Sequence, residues 1–187
     1  MSHERHARLS LALGVLALGA LGVGALGVGA CATTRAPVQL APPRAQDAAA
    51  VGARVLTLVN RARARPRRCG PKAVPAASPL VREAQLDAVA LAYAQELARL
   101  GRFEHRGADG RQPRDRVARS GYRARIVGEN LAAGPTTADE VIDGWLASPG
   151  HCENVMEARF TQMGIAYAVN PASRYGIIWV QLFAAPR

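Results

Sequence analysis

Lysine is almost missing from this chain: Lys72 is the only one among 24 basic residues, and the rest are arginine. The formal charge of +10 is therefore an arginine excess, partly a matter of composition, and charge alone names no partner. Aromatic residues make up only 5% and do not interleave the basic stretch Arg61, Arg63, Arg65, Arg67, Arg68, which argues against a nucleic-acid surface. That stretch reads instead as a solvated basic face near anionic envelope polymer or lipid. There is no G-x-S-x-G elbow, no H-E-x-x-H, no P-loop and no dinucleotide-binding glycine fingerprint, which removes the chemistries those patterns carry. No internal repeat is visible. What is present is 187 residues at 49% hydrophobic content, enough for one core with appendages and too apolar for a disordered chain.

The N-terminus reads as separate from the fold. Arg5 and Arg8 precede an apolar run from Leu9 to Ala30 that ends in Val28-Gly29-Ala30-Cys31. A basic start, an apolar middle and small residues before a cleavage point describe a secretory signal peptide over residues 1–30. The run is also long enough to span a bilayer uncleaved. Cys31 after two small residues resembles a bacterial lipobox, in which the thiol carries diacylglycerol, so the expected product is lipid-anchored at Cys31 and extracytoplasmic. Ala32 rather than Asp after the cysteine resembles an outer-membrane destination. Residues 31–46 are then a lipidated cysteine and a proline-rich tether, reaching up to ~45 Å if extended at about 3.1 Å per residue. The folded domain is expected over residues 47–187.

With Cys31 lipidated, Cys69 and Cys152 remain, an even pair in an oxidising compartment that reads as a disulfide. A loop of about 80 residues would gain about 4.5 kcal/mol from reduced chain entropy. The competing reading makes Cys152 a nucleophile beside His151.

Periodicity gives the elements. Val51, Val55, Leu58 and Val59 form the stripe of a helix ending before Pro66. Four prolines and Cys69 make the next segment a loop. Leu86, Val89, Ala90, Tyr93, Ala94, Leu97 and Leu100 form a second stripe, ended by Gly101. Pro113 opens a short helix to Ser120, and Ile126–Leu131 is extended. Thr137-Ala138-Asp139-Glu140 is a capping box opening a helix that Pro149-Gly150 terminates. Two β-rich runs around Asn170-Pro171-Ala172-Ser173-Arg174 read as a terminal hairpin. Helices before a hairpin argue an α+β class rather than a parallel sheet.

Every histidine outside the leader, His105 and His151, sits at a break between elements, as do Glu129 and Asn130. Their spacing alone meets no metal-ligand pattern. The series Phe103-Glu104-His105, Gly128-Glu129-Asn130-Leu131, Trp145-Leu146-Ala147-Ser148-Pro149-Gly150-His151-Cys152-Glu153-Asn154, then Met163-Gly164-Ile165 and Trp179-Val180-Gln181-Leu182-Phe183, resembles the CAP superfamily in its bacterial SCP-like form. The resemblance covers about residues 50 to 186. It implies an α-β-α sandwich with a small antiparallel sheet between helical layers, supports the Cys69–Cys152 pairing, and implies a cleft whose two His and two acidic residues bind zinc or another divalent cation in some members. His105, Glu129 and His151 match that set, while Ser148 stands where other members carry the second acid. Asn130 and Ser148 read as structural, Trp145 as a core anchor, and Glu153 as a surface charge or substitute acid.

Three function classes follow. The first is an envelope lipoprotein whose cleft binds a divalent metal, a lipid or a cell-wall ligand. The second is a metal-assisted, peptidase-like hydrolase using His105, Glu129 and His151. The third is a structural spacer between membrane and wall.

Overall fold

The computed structural model describes residues 45–187, so the expected leader, the lipidated Cys31 and nearly all of the tether lie outside the described residues. Helix α1 (Ala45–Arg63) buries Val55 and Val59, as its stripe predicts. The proline-bearing segment after it is not only loop. It forms a two-stranded hairpin, β1 (Arg67–Cys69) with β2 (Lys72–Val74), turning at Gly70, whose φ of 60° suits a residue without Cβ. A disulfide between Cys69 and Cys152, with Cα atoms 5.4 Å apart, staples the hairpin to the body of the domain. Both cysteines are fully buried, so Cys152 is not available as a nucleophile.

After the short β3 (Val81–Arg82) comes α2 (Ala84–Leu100), which buries the predicted stripe except Leu100, which stays exposed in the last turn. Gly101 ends it in the left-handed conformation, its N–H donating to Leu97 O. Helix α3 (Pro113–Arg119) and strand β4 (Ala124–Ala133) follow. Helix α4 (Ala138–Ala147) starts at Thr137, whose hydroxyl accepts from the Glu140 N–H. The Glu140 carboxylate reaches back one residue further than a capping box predicts, accepting from the N–H and hydroxyl of Thr136. Pro149-Gly150 does end α4, but it also opens α5 (Pro149–Met156). A proline lacks an N–H that the first helical turn leaves unbonded anyway, so the same residue stops one helix and starts the next.

The predicted terminal hairpin is β5 (Gln162–Asn170) with β6 (Gly176–Pro186). Sheet order is β3-β5-β6-β4, with β6 antiparallel to both neighbours and the two residues of β3 added parallel to β5. Because side chains alternate along a strand, the central β6 feeds two layers. Ile177, Trp179 and Phe183 enter a cluster shared with α1, α4 and α5, while Ile178, Val180, Leu182 and Ala184 enter one shared with α2. This is the α-β-α sandwich. Both indole N–H groups are satisfied: Trp145 donates to Leu131 O and Trp179 to Pro135 O.

Two features fix the layers tightly. A Cβ on Gly164 of β5 would lie 2.2 Å from the Leu86 carbonyl carbon, so α2 packs backbone to backbone on the sheet. Arg63 is fully buried and donates to the carbonyls of Ser78, Val155, Glu157 and Phe160, tying the end of α1 to the exit of α5. Burial pulls its pKa below the usual guanidinium value, opposed by the nearby Glu157 charge.

Candidate functional site

Strand β4 is an outer strand, and its consecutive residues Glu129 and Asn130 point to opposite faces of the sheet. Glu129 faces α2 and α3. Its side chain is 2% exposed, and both carboxylate oxygens are engaged: Oε1 accepts from the Nδ1–H of His105 at 2.9 Å, and Oε2 from Arg116 Nη2 at 2.6 Å. His105, in the loop between α2 and α3, is half exposed. With Nδ1 committed to Glu129, its Nε2 is the nitrogen left for an outside partner.

His151 arrives from the other side, in the first turn of α5, half-buried. Its pKa is held below the usual imidazole value, first by burial and then by repulsion from the His105 charge. Asn130 locks α5 in that position: its Nδ2 donates to His151 O at 3.2 Å, and its Oδ1 accepts from Asn154 Nδ2 at 2.9 Å. Asn154 also donates to Glu129 O, so outward-facing carbonyls of β4 at Glu129 and Leu131 are both covered by side chains of α4 and α5.

The remaining sequence candidates divide. Ser148 makes no side-chain cap to α5 and contributes its carbonyl to the Cys152 N–H. Glu153 pairs with Lys72 Nζ at 2.8 Å on the surface. Among the described residues, no group of three or more His, Cys, Asp and Glu is arranged to hold a metal ion. Glu129 backs His105 rather than offering an open oxygen.

The model of the cysteine-rich secretory protein family, CAP, matches residues 56–183. The chain belongs to the CAP family. Among curated relatives it is 31% identical over 105 residues to the uncharacterized protein YkwD of Bacillus subtilis, an alignment that takes in 56% of this chain and 39% of YkwD. The chain thus spans well under half the length of that relative. Among solved structures, an outer surface protein of Borrelia burgdorferi shares 26% identity at a TM-score of 0.51, over 58% of this chain and 78% of that one. An extracellular SCP-domain protein of Bacillus anthracis superposes at a TM-score of 0.60 with 21% identity, over 78% of this chain and 45% of that one, which is a likeness of fold.

The surroundings of Glu129 in this CAP domain contain one residue that sequence reasoning missed. Arg116 of α3, only 11% exposed, donates Nη2 to Glu129 and Nη1 to the carbonyls of His105 and Arg111, and lies with its guanidinium carbon 3.4 Å from the centre of the Tyr93 ring. Tyr93 donates in turn to Glu104 O at 2.6 Å, and its pKa is pushed up to about 12, chiefly by burial and against the pull of the Arg116 charge. One guanidinium therefore holds both the carboxylate behind His105 and the backbone that carries His105. Four arginines, at 111, 114, 116 and 119, crowd this stretch of sequence, and nothing in their spacing marks which one turns inward.

Proposed function

We propose that this CAP domain is a lipid-anchored, extracytoplasmic binding module of the bacterial envelope. In this reading its cleft takes a divalent cation on His105 and His151 and, with it, a lipid or cell-wall ligand. The observation that carries the reading is the pairing of the His105 Nδ1–H with a Glu129 carboxylate that Arg116 fixes from behind. A carboxylate on one imidazole nitrogen sets the tautomer and aims the other outward, the arrangement that supports an imidazole as a ligand. The lowered pKa of His151 favours the neutral ring, which is the form that ligates. The donor set fits an open site of two imidazoles, not a closed cage, with Glu129 outside the ligand shell. Nitrogen donors favour zinc over magnesium. A bound cation would supply a Lewis-acidic centre with positions open to an oxygen donor.

Binding is favoured over hydrolysis because neither Glu129 oxygen is free to act as a base and Cys152 is consumed in a disulfide. The envelope location is supported by that disulfide, which suits an oxidising compartment, by the lipobox-like Val28-Gly29-Ala30-Cys31, and by relatives described as outer-surface and extracellular proteins. Among the described residues no helix is long and apolar enough to cross a membrane.

The test uses the full-length protein in neutral detergent, titrated calorimetrically with zinc and with magnesium. Zinc should bind, magnesium should bind far more weakly, and His105→Ala with His151→Ala should lower zinc affinity at least tenfold. An absence of zinc heat at micromolar protein, or a double variant that binds equally well, removes the metal reading. Cys31→Ser should release the protein from the membrane fraction, and unchanged partitioning would count against lipidation.

A further inference from the structure

The arginine-rich stretch at the end of α1 is a sequence feature the cleft does not use. Folding separates its five members. Arg63 turns into the core, as described, and Arg68 donates to Pro71 O at 2.6 Å. Arg61, Arg65 and Arg67 instead line an open groove of about 450 Å³ between α1 and α4, with Leu58, Ile142 and Leu146 among its apolar lining. No hydrogen bond or ion pair among the described residues engages the guanidinium of Arg61 or Arg65, and Arg67 Nη1 is buried with no partner. A buried guanidinium N–H without a protein acceptor is a donor that a ligand oxygen can satisfy.

The same groove shows what its arginines do when an acceptor is present. Arg54 meets Asp139 with two bonds, at 3.1 and 2.6 Å, so one guanidinium fork uses up one carboxylate. Asp143 also lines the groove, and set against Arg61, Arg65 and Arg67 it leaves a surplus of two positive charges. The dipole at the C-terminal end of α1 amounts to only about half a negative charge, too little to balance that surplus. A further carboxylate would satisfy a single fork. A phosphate group offers three or more acceptor oxygens and more negative charge, which suits a groove lined by several guanidinium forks beside apolar side chains.

We propose that the α1–α4 groove is a phosphate-binding site, taking the phosphate of a lipid headgroup or of a soluble phosphate-bearing ligand on Arg61, Arg65 and Arg67. It is separate from the histidine cleft, and its failure would leave the reading of that cleft untouched.

Calorimetric titration of the full-length protein in dodecyl maltoside, with sodium pyrophosphate and with dihexanoyl phosphatidylglycerol below its micellar concentration, tests it. Both should bind, and Arg61→Gln with Arg65→Gln and Arg67→Gln should weaken both at least tenfold. Arg68→Gln, outside the groove, should leave both unchanged. Tighter binding of the short-chain lipid supports the proposal with a headgroup as source, and tighter binding of pyrophosphate supports it with a soluble source. Should the triple variant unfold, Arg61→Lys with Arg65→Lys keeps the charge but loses the fork and should still weaken binding severalfold. Neither phosphate compound binding at millimolar concentration, variants binding within twofold of the parent, or acetate competing as well as pyrophosphate would overturn the proposal.

Discussion

Two neighbours on one strand, Glu129 and Asn130, are buried on opposite faces of the same sheet by different means. On the α2–α3 face, the Glu129 carboxylate is tolerated because a guanidinium stacked on Tyr93 meets one oxygen and a half-exposed histidine meets the other. On the α4–α5 face the groups bonded to Asn130 are all neutral. Asn130 and Asn154 exchange amide bonds with each other and with the backbone carbonyls of Glu129 and His151, beside the buried Gln181, whose Oε1 lies 3.4 Å from the Asn130 amide. The charged face reaches solvent through His105, whereas the amide face serves to hold α5 against β4. A buried charge needs a matching charge and a partly wet partner, while a buried amide needs only a complete set of neutral ones.

This contrast is broken most directly at Arg116. Arg116→Met leaves Glu129 buried without its cation, and removing one partner of such a pair costs about 3 to 5 kcal/mol. Adding Glu129→Gln should recover much of that loss. Chemical denaturation of the two single variants and the double variant measures the coupling, and purely additive losses would show that the pair is not a unit. On the amide face the expected effect is smaller. Asn130→Ala removes a neutral group and takes one bond each from His151 O and the Asn154 amide, which keeps its bond to Glu129 O, for about 2 kcal/mol. The loss should be accompanied by faster exchange of the α5 amide protons, with those of α2 unchanged. The smallest effect is expected where a carboxylate on the α5 side stays near solvent. The Glu157 carboxyl, bonded by the side chain and backbone N–H of Arg159, is held down to about 2 from 4.5. Because its folded value is the lower one, its contribution is present above about pH 4.5 and is lost as pH falls toward 2. Glu157→Gln should flatten the stability profile in that window, as followed by thermal unfolding at a series of pH values.

Most of the layer structure is legible in the sequence. The stripes of α1 and α2, the capping box of α4 and the terminal hairpin depend on periods of 3.6 and 2 and on local caps, which a sequence displays directly. Helix α5 is not, because Pro149-Gly150 carries the same signal whether a helix stops before it or starts on it. The β1–β2 hairpin is hidden for a related reason: its three-residue strands are too short to show alternation, and a disulfide rather than a stripe holds them. Within the site, His105 and His151 stand out as a rare residue type and Glu129 by its place in a family-like order. Arg63 and Arg116 do not, since each is one of several arginines, and only the assembled tertiary structure decides which guanidinium is enclosed.

The position of β6 has a consequence for how the chain reaches its fold. It is the last of the described elements in chain order, yet it is the strand to which β4 and β5 both pair and from which both hydrophobic clusters are seeded. It is delivered after the other described elements, so α1 through α5 emerge with their apolar faces uncovered and with no partner strand for β4. The four-stranded sheet cannot be completed until residues 176–186 arrive, and the domain should fold in one late step rather than growing from its N-terminus.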